Sequence, residues 1–595
     1  MKKIVRKGLP FAVIAAVVLG AIACKDEFLE VPVTGQISES QLTTPAGLEG
    51  LLIGVYAQLM GAPDNGGGSA GGEWNGGATN WVWGSIRGGD ANKGSNAGDF
   101  NSITPIERFE VQVTNSEVQF KWEGSFEGVA RANTLLKIMA KADEVSEAQK
   151  TRIAAEARFL RGHFYFELRK NFKMVPWVDE TMTDEEAKKV PNNTDIWPKI
   201  EADFQFAVDN LPETHSQIGR ANKWAAMSYL AKAYMYQRKF NEAKQLFDDI
   251  IANGTTTDGT PYGLHPDFGD LFSLGGENSA ESVFAYQATG GASSTYNSLH
   301  EVAMHQPYST AAGETAGSDC CGFFHPSFDL AASYRTQNGL PLLDGSYRTG
   351  TNELVTDQGK ASDEAFTPDA GPLDPRLDHT VGRRGIPWLD WGNIHPGKAW
   401  IRDQNFAGPY TPKKYALDKT EYGTRDASGW TPGYQATNFM IIRFADVLLM
   451  AAEAEVEVGS LEKAREYVNL VRSRAANASA FVKNLEGTAD AANYVISTYD
   501  LPWTDQTAAR NAVRFERKLE LALEGHRFYD LVRWGNAAEV LNAYLSYEAS
   551  KLSNQFGGAT FTAPADEYLP IPQTEIDLQG KDDSGGNVLT QNDGY

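Results

Sequence analysis

The chain has 595 residues and a formal net charge of −23 at pH 7, with 77 acidic and 54 basic residues. A nucleic-acid-binding protein needs a basic surface, and this composition offers none, so nucleic acid is excluded as an expected partner. Hydrophobic residues make up 42% of the chain and aromatic residues 11%, which suffices for a large core. The negative charge favours solubility and repels anionic partners.

The first 23 residues are predicted to form an export signal. Four basic residues lie among the first seven, and residues 9–23 are an uncharged, mostly apolar run of 15 residues. A helix needs ~20 residues to cross a bilayer. A shorter run with basic residues in front of it is typical of a secretory signal, so we expect residues 1–23 to be removed on export.

Cys24 follows the apolar run directly. One interpretation is ordinary cleavage after Ala23. The other is a lipoprotein signal, in which Cys24 is lipidated and becomes the acylated N-terminus, although Ala21 stands where such signals usually have leucine. The chain has three cysteines, and the two besides Cys24 are adjacent. Lipidation accounts for Cys24 as the cysteine left over, so we favour the lipoprotein signal. Two or three acyl chains would hold the otherwise soluble protein firmly to a membrane.

Four stretches show the 3.6-residue periodicity of helices. They are residues 149–170, 222–251, 440–475 and 510–535. The second and third resemble each other after a shift of 221 residues, which places Ala231 on Ala452 and likewise matches Ala243 with Ala464. Small alanines let two helices approach closely, which is typical of tetratricopeptide-like hairpins. The alternative, that any two antiparallel helices look alike, stays open.

Long loop-rich insertions are predicted at about 61–120 and 253–440. Residues 61–98 hold 13 glycines, and the second insertion is rich in Gly, Pro, Asp, Tyr and Trp, with the run SVFAYQA (282–288) suggesting a strand. Loops of this length are usually functional or disordered, and the aromatic content argues against disorder. We expect residues 24–595 to form one domain, a helical scaffold that carries these loops.

No catalytic, metal or cofactor site is predicted. His300 and His305 are five residues apart, whereas a zinc-binding HExxH motif needs four, so both are interpreted as ordinary histidines. Residues 67–71 match G-x-S-x-G, but no strand precedes their glycine-rich loop, so the match is interpreted as chance. None of the acid pairs stands out as a glycosidase pair.

Six residues in Gly- and Pro-rich loops are the candidates for glycan contact. They are Trp74, Asn80, Trp81, Trp83, Trp388 and Trp391. An exposed indole offers a flat apolar platform with one N–H donor, on which the C–H face of a sugar ring stacks. The alternative for each tryptophan is that it packs against the helical scaffold and holds its loop in place. For the set, we expect two or three to line a site.

Cys320 and Cys321 are adjacent and leave two interpretations open. Neighbouring Cα atoms are ~3.8 Å apart across a trans peptide, whereas disulfides usually span ~4.4–6.8 Å, so geometry opposes a vicinal disulfide. With Cys24 lipidated, however, neither thiol has another partner, and exposed thiols outside the cell tend to oxidise. The vicinal ring would form a rigid apolar part of a binding surface. The alternative is two reduced, buried thiols.

Several segments together resemble the SusD/RagB family of Bacteroidetes outer-membrane lipoproteins. Examples are CKDEFLEVP (24–32), WGSIRGGDANKGS (83–95), CCGFFHPSFDLAASY (320–334), ERKLELALEGHRFYDLVRWG (516–535) and EYLPIPQTEIDLQG (567–580). The matching segments span nearly the whole chain. They are specific for the family and not for a ligand.

The resemblance implies a mainly α-helical fold, with four tetratricopeptide-like hairpins that carry a loop-rich ligand-binding half. It implies a non-catalytic lipoprotein on the outer-membrane surface that binds oligosaccharides, or peptides in some members. Such a protein sits as a lid over a SusC-like TonB-dependent transporter. Acidic residues just after Cys24, such as Asp26 and Glu27, resemble the signal that sends these lipoproteins to the outer face.

Four functions stay open. Glycan capture is the leading hypothesis, because Trp and Tyr accompany Asn and Asp in the loops. A peptide-binding member would show a cleft with strand edges and no exposed indoles. A cryptic glycoside hydrolase would need two carboxylates facing each other across a cleft. A purely structural partner of the transporter would lack an exposed aromatic platform.

Overall fold

The computed structural model describes residues 38–61, 76–291, 298–308, 316, 320–426, 431 and 433–595. The predicted signal at 1–23, Cys24 and Trp74 lie outside these residues. Across the described part of the chain, no helix is both long and apolar enough to cross a membrane.

Helices dominate the structure, as the sequence predicts. The α-helices of six or more residues are α1 (Pro45–Ala57), α2 (Ser116–Met139), α3 (Glu147–Phe172), α4 (Trp197–Asn210), α5 (Lys223–Tyr236), α6 (Phe240–Asn253), α7 (Phe328–Ser333), α8 (Phe444–Val458), α9 (Leu461–Ala475), α10 (Gln506–Glu520), α11 (Arg527–Trp534), α12 (Ala537–Lys551) and α13 (Gln573–Gln579). Side-chain caps explain several starts. Asn115 before α2, Ser146 before α3 and Asn222 before α5 each accept a backbone N–H of the first turn, which satisfies donors that a helix start leaves open.

The two predicted hairpins are confirmed. Helix α5 packs on α6, α8 packs on α9, and α6 also contacts α8, so the hairpins adjoin each other. The alanines that the 221-residue shift aligns are fully buried, at 0% exposure: Ala231, Ala243, Ala452 and Ala464. An alanine leaves room for a neighbouring backbone, so these positions allow the close helix contacts.

The strands described here are short and antiparallel, and they form two-stranded sheets. The pairs are β1 (Ala91–Gly94) with β3 (Phe323–Pro326), β2 (Ser282–Tyr286) with β8 (Phe439–Arg443), β4 (Thr336–Gln337) with β5 (Leu340–Pro341), and β6 (Val381–Gly382) with β7 (Thr411–Pro412). The strand predicted at 282–288 is β2. The loop predicted at 61–120 ends earlier than expected, because Asn115 caps α2 and the helix begins at Ser116.

A large buried apolar cluster includes residues from Leu48 to Leu589. A buried ionic network crosses it and joins helices to strands. Its members are Glu281, Arg376, Lys414, Arg443, Arg474, Glu516, Glu520 and Glu524. The expectation that residues 24–595 form one domain stays a prediction.

Candidate functional site

The structure buries two of the tryptophans that the sequence predicts as platforms. Trp81 and Trp83 lie in a π-helical turn, Trp81–Ile86, and are 1% and 0% exposed. An indole with no exposed face gives a sugar ring nothing to stack on, so the platform assignment of both residues is wrong. Trp81 instead packs edge-on against His305, with ring centroids 4.8 Å apart, and against Phe324, at 5.6 Å.

Asn80 has a structural role as well, and its assignment as a glycan contact is wrong. The residue is 5% exposed and has a φ of 49°, a left-handed conformation that asparagine tolerates. Its side-chain oxygen accepts a hydrogen bond from Lys121 Nζ at 3.0 Å. Lys121 also pairs with Glu167 at 3.1 Å, so Asn80 helps to satisfy a buried cation.

Trp388 and Trp391 lie in one hairpin but have different environments. Trp388 is 0% exposed and packs edge-on against Trp400, with centroids 5.4 Å apart, so its platform assignment is also wrong. Trp391 is half-buried, and its indole N–H donates to the Leu417 carbonyl at 2.9 Å. A role for Trp391 in ligand binding stays a prediction.

Three distant segments meet at an exposed aromatic ring, that of Tyr308, which is 37% exposed. The guanidinium carbon of Arg402 lies 4.8 Å from the Tyr308 ring centroid, which is close enough for a cation–π interaction. Arg402 also donates to Ser95 Oγ at 3.0 Å and forms an ion pair with Asp99. We call Ser95, Asp99, Tyr308 and Arg402 the Tyr308 surface.

The backbone on both sides fixes the position of Tyr308. Its N–H donates to the Trp400 carbonyl at 3.1 Å. Gly322 approaches so closely that a Cβ there would lie 2.9 Å from the Tyr308 Cβ. Gly322 has a φ of 70°, a conformation that favours glycine. The Tyr308 backbone is therefore held in place, which lowers the entropy that this segment loses when a ligand binds.

Aromatic rings pack together in the segments that adjoin the Tyr308 surface along the chain. The rings of His305 and Phe324 have centroids 4.7 Å apart, and those of Phe100 and Phe323 are 5.6 Å apart. Burial lowers the pKa of His305 to about 3, so this imidazole is neutral near pH 7 and acts as a packing ring. The sequence interpretation of His305 as an ordinary histidine agrees with this environment.

Cys320 and Cys321 directly precede Gly322 and therefore lie beside Tyr308. The structure pairs them as a vicinal disulfide across a cis peptide bond. Cys320 is half-buried and Cys321 is 8% exposed. The oxidation state of the pair in the native protein stays a prediction that a thiol measurement decides.

The Tyr308 surface combines the groups that carbohydrate recognition uses. Tyr308 supplies an aromatic face, Arg402 supplies N–H donors in a planar fork, and Asp99 supplies acceptor oxygens. Among the residues that the structure describes, no group of three or more His, Cys, Asp or Glu side chains could hold a metal ion.

A concave region of about 470 Å³ lies beside Trp391 and is lined partly by carboxylates. Burial raises the pKa of Asp418 to about 7, and repulsion from Asp390 and Glu421 adds to the rise. Both oxygens of Asp390 accept backbone N–H groups, from residues 419 and 420 at 2.5 and 2.9 Å. Asp390 therefore caps a turn, which argues against Asp390 as one of the two available carboxylates of a hydrolase.

Tyr308 and Arg402 are not among the residues that the sequence predicts. Tyr308 is one of 23 tyrosines, and neither residue belongs to a recognised motif. The sequence offers one indication of their role, which is that each lies close along the chain to residues already considered. Tyr308 precedes the cysteine pair, and Arg402 follows Trp400. That signal does not show that the two side chains meet.

Two family models match the chain. One is described as the SusD family and matches residues 280–595, and the other is described as "Starch-binding associating with outer membrane" and matches residues 85–235. A SusD-like protein of Formosa agariphila is 27% identical over 484 residues, which cover 79% of this chain and 79% of that protein.

Solved structures share the fold. A SusD superfamily protein from Bacteroides vulgatus gives a TM-score of 0.65 at 22% identity, covering 93% of this chain and 100% of that one. Surface glycan-binding protein A from Bacteroides thetaiotaomicron, solved in complex with laminarihexaose, gives 0.61 at 21% identity, covering 92% and 99%. These likenesses confirm the predicted mainly helical fold.

Proposed function

The chain belongs to the SusD family, and we propose that it captures neutral oligosaccharides at the Tyr308 surface and passes them to a SusC-like TonB-dependent transporter. The observation that carries the proposal is the exposed Tyr308 ring, stacked by Arg402 at 4.8 Å and flanked by the Asp99 carboxylate. A sugar ring stacks on the free face of Tyr308, while its hydroxyls bond Arg402 and Asp99.

Charge favours a neutral ligand. The chain carries −23 overall, which repels uronates and sulfated sugars. Arg402 does not offset this charge locally, because Asp99 already pairs with it. A relative of the same fold was solved with laminarihexaose, which makes that oligosaccharide the first ligand to test.

The proposed location is the outer face of the outer membrane, through lipid on Cys24. The signal pattern of residues 1–24 and the description of one matching family model as associating with the outer membrane support this location. The proposal assigns no catalysis to the chain, and it needs the transporter because a surface-bound oligosaccharide must still cross the membrane.

Calorimetry with laminarihexaose and other neutral hexasaccharides tests the proposed surface. Tyr308→Ala should weaken binding roughly tenfold, as loss of ~1.5 kcal/mol of stacking implies. Tyr234→Ala is the control, because Tyr234 is likewise a tyrosine with a cation near its ring, Lys239 at 5.4 Å. Trp391→Ala tests the remaining indole.

The other possible results of these experiments either reject the Tyr308 surface or support a different function. Unchanged affinity in Tyr308→Ala, for a saccharide that the parent binds, rejects the Tyr308 surface. Binding of an oligopeptide and of no saccharide identifies a peptide-capturing member. Release of reducing sugar identifies a hydrolase. Affinity purification from the native outer membrane should recover a TonB-dependent transporter, and its absence contradicts the delivery role.

A further inference from the structure

Trp503 has a half-buried indole that lies outside the Tyr308 surface. Among the tryptophans that the structure describes, Trp177, Trp391 and Trp503 are half-buried and the others are buried. The indole N–H of Trp177 donates to a carboxylate oxygen at 3.1 Å, and that of Trp391 donates to a carbonyl oxygen at 2.9 Å. The indole N–H of Trp503 has no hydrogen-bond partner among the described residues.

The indole N–H of Trp503 is also accessible to solvent. The N–H groups of Trp224 and Trp388 lack a partner within the described chain too, but those two atoms are buried. The N–H of Trp503 is not one of the buried polar atoms without a partner, so it retains accessible surface. An acceptor on a ligand can therefore reach this donor, because the core does not enclose it.

The aromatic neighbour of Trp503 covers at most one face of its ring. Tyr499 meets the indole edge-on, with ring centroids 5.3 Å apart and an angle of 72° between the ring planes. Such a contact places the edge of one ring against one face of the other. Leu501, two positions before Trp503, is 80% exposed, and Pro502 is exposed as well. Apolar surface therefore continues along the chain from the indole.

The segment that carries Trp503 is anchored at both ends. At one end, the N–H of Tyr499 donates to Asn469 Oδ1 at 2.8 Å, and the Tyr499 carbonyl accepts from Asn469 Nδ2 at 3.0 Å, so α9 holds this backbone. At the other end, Asp505 caps α10 by accepting the N–H of residue 508 at 2.7 Å. The backbone of this short segment is restrained before a ligand arrives, which lowers the entropy cost of binding.

Polar groups accompany the apolar residues of this segment. Asp500 and Thr504 are both exposed. One carboxylate oxygen of Asp500 accepts the Thr498 hydroxyl at 2.8 Å, and the other has no partner among the described residues. A carboxylate accepts hydrogen bonds and an indole N–H donates one, so a ligand with hydroxyl groups matches both. The core of a protein–protein interface, by contrast, is depleted of charged residues.

We propose that Asp500, Leu501 and Trp503 form a second carbohydrate-binding surface, which takes two units of a neutral glycan. One sugar ring stacks on the open face of the indole. A hydroxyl of the next unit accepts the N–H at the ring edge, and another hydroxyl donates to Asp500. The negative charge of Asp500 repels uronates and sulfated sugars. This inference goes beyond the Tyr308 surface and does not depend on it.

A long glycan would gain most from the second surface. Once such a chain is bound at the Tyr308 surface, its contact with Trp503 becomes intramolecular, and the overall affinity exceeds that of either surface alone if the glycan can reach both.

Calorimetry with laminarin, amylopectin and galactomannan tests the Trp503 surface. The variant Tyr308→Ala isolates this surface, and at least one of the three polysaccharides should still bind to it. Adding Trp503→Ala should weaken the remaining binding roughly tenfold, as the loss of stacking implies. Adding Trp503→Phe instead, which keeps an aromatic ring and removes the N–H donor, should weaken it roughly threefold.

Trp177→Phe is the matched control, because it removes the indole N–H of another half-buried tryptophan. In the same Tyr308→Ala background it should leave polysaccharide affinity unchanged. The melting temperature of each variant shows whether it folds, and Trp503→Phe keeps the test valid if Trp503→Ala does not.

Binding that persists in Tyr308→Ala and weakens when Trp503 is also replaced supports the second surface, even if the Tyr308 assignment fails. Binding that disappears in Tyr308→Ala alone overturns the second surface and supports the first. Equal affinity with and without Trp503 overturns it as well, as does failure of all three polysaccharides to bind the parent. Loss of self-association in Trp503→Ala, with polysaccharide affinity unchanged, would identify the segment as an interface between copies of the chain.

Discussion

Arg443 and Glu520 form a buried ion pair, with Nη1 of Arg443 2.6 Å from Oε1 of Glu520 and side chains 1% and 0% exposed. Arg443 ends β8 and Glu520 ends α10, so the pair joins a strand to a helix. Burial opposes ionisation of Glu520, but Arg474 and Arg443 outweigh it and hold the pKa of this carboxyl far below its usual range.

Glu520→Gln should therefore destabilise the protein strongly. The substitution removes a carboxylate that three buried arginines share, Arg376, Arg443 and Arg474. Removing one partner from a buried ionic pair typically lowers the free energy of unfolding by ~3–5 kcal/mol. Urea titration measures the loss. The control is Glu466→Gln, which breaks an exposed pair with Lys463, 3.1 Å long, and should have little effect. Equal losses in both variants would show that the network does not stabilise the fold.

The lowered pKa of Asp329 predicts that the protein loses stability in acid. Burial opposes its ionisation, but Lys518 and Arg348 outweigh it and lower its pKa to about 2, against ~3.9 in an unfolded chain. A depressed pKa contributes stability above the unfolded value, and that stability is lost as pH falls through the folded value. The Asp329 contribution of roughly 2–3 kcal/mol should thus be constant above pH ~5 and fade from pH ~4 to ~2.

Asp329→Asn checks this assignment by urea titration at several pH values. The variant should be less stable than the parent at pH 7, and its stability should depend less on pH in the acid range. If the two proteins lose stability in parallel as pH falls, Asp329 is not the titrating group.

Arg402→Lys should weaken oligosaccharide binding roughly tenfold, because a lysine keeps the charge but loses the planar fork that bonds hydroxyls and stacks on Tyr308. Arg169→Lys is a close control. Arg169 also stacks on an aromatic ring, Trp197 at 5.4 Å, and pairs with an aspartate, Asp195 at 3.2 Å. Calorimetry should find the loss only at Arg402, and a similar loss in both variants would point to an indirect effect.

Cys24→Ala should release the protein from the outer membrane while leaving the fold intact. Lipid on Cys24 is the only anchor proposed for the chain, and an alanine cannot carry a thioether. Detergent phase separation measures the change, and circular dichroism checks the fold. Partition of the variant into the detergent phase would show that the anchor lies elsewhere.

Cys320 and Cys321 should resist alkylation in the unfolded, unreduced protein, because a vicinal disulfide leaves no thiol to react. Mass spectrometry should find both labelled only after reduction. Labelling of two cysteines without reduction would rule the ring out. A Cys320→Ser, Cys321→Ser double variant then shows whether glycan affinity at the neighbouring Tyr308 needs the ring.

The helical scaffold is predictable from sequence because its signal is local. Ala231 and Ala452 lie at equivalent positions of two periodic segments, and both are buried at 0%. Periodicity and small residues at helix contacts are visible in a short window of sequence, so the hairpins are confirmed.

The candidate site is not predictable in the same way. Trp81, Trp83 and Trp388 lie in glycine-rich loops, which favoured exposure, yet tertiary packing buries all three. Tyr308 and Arg402 are 94 positions apart in the chain, and only the fold brings the guanidinium over the ring. Aromatic content does not show which face of a ring meets solvent.

The Tyr308 surface takes its residues from positions 95–99, 308 and 402. A ligand that bridges these positions binds the folded chain and not the unfolded one. By thermodynamic linkage, ligand binding therefore stabilises the folded state. At a free ligand concentration 100 times Kd, it raises the free energy of unfolding by ~2.7 kcal/mol. Glycan binding should therefore raise the Tm of the protein. On the cell surface, the protein should resist unfolding most when its ligand is abundant.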